Sequence, residues 1–142
     1  MKTFCTVADY NFRRRVWALN QSLIKFSNDY TLYVLALDQK AKQEFSKNNW
    51  KNYNIKVISI DDLKCADNHL LNCSQNKPSY EALNVANGDI HKATYMQFIW
   101  SLSAYFTWYC LETFQPEDIL YIDADIYFFD DWTKVYNNLE NI

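Results

Sequence analysis

The chain has 142 residues, a formal net charge of −3 and one glycine, Gly88; at a usage of about 7% about ten would be expected, and so few exclude a P-loop and the three-glycine dinucleotide turn. The acidic balance argues against sequence-independent nucleic-acid binding, which needs a broad basic patch to displace counterions. With 49% apolar, 18% aromatic and 22% charged residues, the composition describes a single globular domain with one core rather than a disordered tail.

Thr3 to Ala8 (TFCTVA) is a short run of β-formers and predicts a buried strand ending at Asp9. From Asn11 the apolar positions Phe12, Val16, Leu19, Leu23 and Phe26 fall on one helix face, so a helix is expected to about Ser27. The cluster Arg13, Arg14 and Arg15 reads as a solvated face of that helix, with phosphate or an anionic membrane surface as the other candidate contacts. Thr31 to Leu37 predicts a second buried strand ending at Asp38, Lys40 to Lys47 an exposed helix, and Ile55 to Ile60 a third strand closed by Asp61 and Asp62. The order β-α-β-α-β predicts a largely parallel sheet covered by helices.

Asn68 to Asp89, Asn-rich and holding Pro78 and Gly88, reads as a loop region with one helical turn near Glu81 to Val85. A long helix is expected from His91 to about Phe114, stopping before Pro116. Its stretch Ala93 to Leu111 carries no charge and is long enough to span a bilayer. Five polar residues, and tryptophans placed at mid-depth rather than at the interfaces, favour a helix buried in the protein instead, without a transmembrane span. Ile119 to Ile122 predicts a strand, Ile126 to Phe129 is a second apolar run, and Trp132 to Leu139 a short helix. Cys5, Cys65, Cys73 and Cys110 lack metal-site spacing, and Met1-Lys2 runs straight into a strand. Both features point to reduced thiols and a cytoplasmic location, with peripheral contact at the inner membrane face as the variant that the arginines suggest.

The segment ILYIDADIYFFDD carries most of the functional information. A buried strand that ends in Asp123-Ala124-Asp125 sets two carboxylates at the C-terminal edge of the sheet, where ligands of open α/β sheets bind. Such a pair repels itself unless a cation bridges it, and Mn²⁺ or Mg²⁺ shared with substrate phosphates is the usual solution. Strand-end acids that merely cap or solvate a loop are the structural alternative. Asp130 and Asp131 read as solvated loop, and His69 and His91 as ordinary polar residues.

This segment, preceded by PEDILY, resembles the DxD strand of GT-A nucleotide-sugar glycosyltransferases, specifically glycosyltransferase family 8. The N-terminal VADYNF resembles the nucleoside-binding start of the same family. The resemblance implies a Rossmann-like GT-A fold and a UDP-sugar donor site made of Ala8, Asp9, Asn11, Phe12, Asp123, Ala124 and Asp125. In it Asp123 and Asp125 bind Mn²⁺ or Mg²⁺ with the diphosphate, Asp9 and Asn11 meet the uracil and ribose, and Phe12 stacks on the base where the family carries tyrosine. Phe12 also begins the apolar helix stripe, and a core role is its alternative. The family's basic sugar contacts on the helix before the DxD strand are missing, leaving Ser101, Ser103 and Tyr105 as the polar candidates.

The resemblance covers the donor half of the family's catalytic domain, so residues 1–142 are expected to form a single, partial GT-A-like domain acting toward a glycan, lipid or protein acceptor. A second copy or a partner chain would complete the site. Two other classes compete: a non-catalytic or partner-requiring binding module, and a phosphoryl-transfer enzyme of haloacid-dehalogenase type, in which a strand also ends in DxD.

Overall fold

A computed structural model of the chain describes residues 1–47, 50, 54–66 and 89–139. In chain order these form β1 (Lys2–Ala8), a 3-10 turn (Tyr10–Phe12), α1 (Arg13–Ile24), β2 (Tyr30–Ala36), α2 (Gln39–Phe45), β3 (Ile55–Ser59), α3 (Ile60–Ala66), α4 (Asp89–Phe114), β4 (Leu120–Tyr121) and α5 (Thr133–Leu139). The four strands make one sheet in the order β3-β2-β1-β4, and every pairing is parallel.

Alternation along the strands divides the core into two layers. Phe4 and Ala8 of β1, with Tyr30, Leu32, Val34 and Ala36 of β2, pack against α1, α2 and α5. Cys5 and Val7, with Tyr33 and Leu35, face Leu63 of α3 and Leu102, Phe106 and Cys110 of α4. Both faces are covered, which is why β1 and β2 read as unbroken apolar runs. Burial also pushes the Cys5 thiol up to about 11, against a partly opposing hydrogen bond with Thr107, and raises that of Cys110 as well. Both are free thiols.

Trp132, one of the largest buried side chains, meets Phe4 edge-on at 5.2 Å and donates its indole N–H to the Leu23 carbonyl at 2.8 Å. The Tyr136 hydroxyl donates to the Thr3 carbonyl at 2.6 Å. Together they fix α5 across β1. On the sheet edge, β4 pairs with β1 through Phe4↔Leu120 and Cys5↔Tyr121, extended by Ile122 N–H donating to the Cys5 carbonyl at 2.9 Å.

Several expectations shift. The third strand stops at Ser59, and Asp61 and Asp62 open α3 instead of closing a strand; Asp62 accepts from the Ser59 amide at 3.0 Å, and the Ser59 hydroxyl holds its carboxyl below the usual range. The strand before the acid pair is only Leu120–Tyr121. The apolar run Ile126 to Phe129 is mostly uncovered: Ile126, Tyr127 and Phe129 are exposed, while Phe128 turns in against Phe4. The expected loop with its helical turn at Glu81 to Val85, and with it His69 and Cys73, lies outside the described residues.

The long helix is not buried all round. Leu102, Phe106 and Cys110 recur every fourth residue on the sheet side, whereas Trp100, Ala104, Trp108 and Leu111 are exposed. Its near-uniform apolar composition gives no sided pattern, so only the sheet decides which face is covered. No helix among the described residues is long and apolar enough to cross a membrane. The helix ends at Gln115, whose φ of 48° is the left-handed cap position that usually takes glycine.

Two substitutions check this packing. Phe106→Ala should lower unfolding free energy by about 3–5 kcal/mol, while Ala104→Gln on the outer face should change it by less than about 0.5 kcal/mol, both read by urea denaturation. Gln115→Gly should raise stability by about 0.5–1 kcal/mol by relieving the left-handed penalty of a side chain with a Cβ; an unchanged or lower denaturation midpoint would contradict it.

Candidate functional site

A sheet ordered β3-β2-β1-β4 grows away from β1 in both directions, and the loops leaving the C-terminal ends of β1 and β4 part at that point. The crevice left there is the usual ligand position of open α/β sheets. Here it is a cleft of about 460 Å³.

One wall comes from the end of β1. Asp9 is the N-cap of the 3-10 turn: its Oδ1 accepts from the Phe12 amide at 3.0 Å and its Oδ2 from the Asn11 side-chain amide at 3.5 Å. A second acid holds the same loop from β2. Asp38 accepts from the Tyr10 amide at 2.9 Å and from Ala41, at the start of α2, at 2.8 Å. With no glycine available, these turns are closed by aspartate side chains bonding to backbone N–H groups. The capped turn holds Phe12, half-buried and packed against the core, at the cleft wall.

The facing wall follows β4. Ala124 is buried in the core and the Ile126 amide closes a turn onto the Asp123 carbonyl at 3.0 Å. Asp123 and Asp125, on either side of that buried alanine, are both exposed and both line the cleft. Tyr121, half-buried beside them in the cleft lining, has its phenol pKa pushed upward by burial and then by the Asp123 charge. Tyr121 therefore keeps its proton at neutral pH. Asp125 is approached from α1 by Arg15, whose Nη1 lies 3.5 Å from Oδ2. The third wall is α4, which contributes Ile99, Trp100 and Ser103; the Ser103 hydroxyl donates back to the Trp100 carbonyl at 2.6 Å.

Of the residues expected at the site, Ala8, Asp9, Phe12, Asp123, Ala124 and Asp125 line this one cleft. Asn11 does not; it is exposed beside Asp9, because the 3-10 turn carries it outward. Ser103 reaches the cleft, whereas Ser101 and Tyr105 do not line it, lying on other faces of the helix. Asp130 and Asp131 are occupied elsewhere: Asp130 pairs with Lys134 at 3.1 Å, and Asp131 accepts from the Thr133 amide at 2.9 Å at the start of α5. The Asp131 amide, and then Lys134, holds the Asp130 carboxyl below its usual range, and the Thr133 hydroxyl, then its amide, does the same for Asp131.

The sequence did not single out Tyr121, and Arg15 stood out only within the Arg13–Arg15 cluster, with phosphate as one candidate contact; both left a signal. Tyr121 stands two residues before Asp123, hence on the same side of an extended chain. Arg15 stands three after Phe12, one helical turn on.

Chemically, the cleft is lined by a flat aromatic ring, two hard oxygen donors, and Val7, Leu37 and Ile99 as apolar surface. Among the described residues no group of three or more His, Cys, Asp or Glu side chains is gathered to hold a metal. The carboxylate pair still fits Mg²⁺ or Mn²⁺, since such ions are commonly held by one or two carboxylates together with substrate phosphates and water. Comparison with known proteins adds no relative: no family model, curated protein or solved structure matches the chain.

Proposed function

We propose that this chain is the donor-binding part of a metal-dependent glycosyltransferase of GT-A type, holding a UDP-sugar in the cleft between β1 and β4. The observation that carries the reading is the convergence of the Asp9–Phe12 turn and the Asp123–Asp125 turn, distant in sequence, on a single cleft at the sheet's switch point. A ligand suited to it has a flat base at one end and a diphosphate at the other.

Phe12 offers a stacking face for the base, and the Asp9 carboxylate beside it lines the same cleft as an acceptor for the base and ribose. Asp123 and Asp125 would hold the divalent ion, with Tyr121 beside them in the cleft lining. When bound, the ion neutralises the diphosphate and stabilises it as a leaving group. Ile99 and Trp100 cover the cleft's α4 side and restrict water around the sugar, while the acceptor, whether glycan, lipid or protein, would be supplied from outside these elements.

Titration with UDP in saturating Mn²⁺ tests this. Asp123→Asn and Asp125→Asn should each weaken UDP at least tenfold, with melting curves almost unchanged because both side chains are exposed; equal affinity in wild type and both variants would sink the assignment. Phe12→Ala should cost about 1–3 kcal/mol of UDP binding through lost stacking, and Phe12→Tyr should retain it. A large fall in melting temperature in Phe12→Ala, with UDP affinity preserved, would mark Phe12 as a core residue only.

A further inference from the structure

The triplet Arg13-Arg14-Arg15 looks like one basic patch in the sequence, but Arg15 parts from the other two. Arg13 covers the Tyr10 ring at 4.2 Å and donates to the Tyr10 carbonyl. Arg13 and Arg14 both border a separate hollow beside Trp17 and Trp50. Arg15 alone of the three contacts the acid pair, 3.5 Å from Asp125, and its guanidinium carbon lies over the Phe12 ring, 4.6 Å from the centroid.

We infer that Arg15 is the phosphate-binding side chain of the cleft, an assignment that rests on the nucleotide reading above. In a nucleoside diphosphate with its base on Phe12 and its diphosphate at the cation of Asp123 and Asp125, the ribose and the α-phosphate span the gap between those points. Arg15 touches both ends of that gap, so its guanidinium lies along the path the α-phosphate takes. Its forked N–H donors match phosphate oxygens in a way an ammonium group does not.

The charge logic is consistent. Two carboxylates repel a phosphate, and a divalent ion that neutralises Asp125 frees the guanidinium to turn to the phosphate instead. The contact that must be given up is exposed on both sides, 56% for Arg15 and 54% for Asp125, and pairs of that kind are weak. The assignment also supplies a cation that the sequence lacks on the opposite wall, where α4 carries no Lys or Arg between Lys92 and Glu112.

Calorimetric titration of uridine, UMP and UDP, in Mn²⁺, into wild type, Arg15→Gln and Arg15→Lys separates the possibilities. Arg15→Gln should weaken UMP and UDP about tenfold, the loss expected for a charge-assisted hydrogen bond, and uridine by less than twofold. Arg15→Lys should fall between, and thermal melts of all three proteins should superimpose. A loss of the same factor for uridine as for UMP would show that Arg15 acts on the base through Phe12 and overturn the assignment. Unchanged affinities in Arg15→Gln, with wild type binding all three ligands, would overturn the assignment alone. Wild type that binds none of them would overturn the nucleotide reading itself.

Discussion

The candidate site depends on the two-residue ladder that joins β4 to β1. Phe4↔Leu120 and Cys5↔Tyr121 are the whole of that pairing, and without it Asp123 and Asp125 would have no fixed relation to Asp9 and Phe12. So short a ladder supplies little by itself, and its position is secured from its surroundings. Lys2 reaches Asp118 at 3.0 Å just before β4, Ile122 and Ala124 bury themselves under α1 and α5, and Tyr121 borders the α4 layer. Sheet pairing sets the direction in which the chain leaves β4, and burial of Ala124 sets which way the two acids on either side of it project.

Nearly every turn near the cleft is closed without glycine, and the consequence is a doubling of roles. Asp9 caps the 3-10 turn and lines the cleft with the same carboxylate. Asp38 ties the loop after β1 to the N-terminus of α2, so the backbone behind Phe12 is held from two strands. Rigid loops of this kind present side chains in fixed positions, which favours binding through preorganisation. Backbone cradling of phosphate is unavailable to such a chain, and side chains and a cation are the means left to it.

Helix α4 has two duties along its length. Leu102, Phe106 and Cys110 close one face of the sheet, while Ile99, Trp100 and Ser103, a turn earlier, form the cleft wall. Trp100 is 65% exposed, so its ring is available to a ligand in the cleft. The remaining outer face, with Trp108 at 51% exposure, shares the apolar character of the inner one.

What the sequence determined by itself was set by local rules. Apolar or alternating runs of six or seven residues marked β1, β2 and β3 to within about a residue at most ends, the three-four spacing marked α1, and the parallel order followed from the alternation of strands and helices. The acid pair was legible because a strand ending in two alternate acids needs no partner to be recognised. Tertiary structure alone decided which face of α4 is covered, since a helix apolar on every side holds no directional signal; which residues of the run Ile126 to Phe129 are covered, since only Phe128 meets the core; and that Asn11 turns away while Tyr121 lines the cleft and Arg15 lies beside Asp125. Arg15 meets Asp125 across 110 positions of chain, and such a contact is fixed by how β4 docks beside β1, a relation between distant segments that no local pattern encodes.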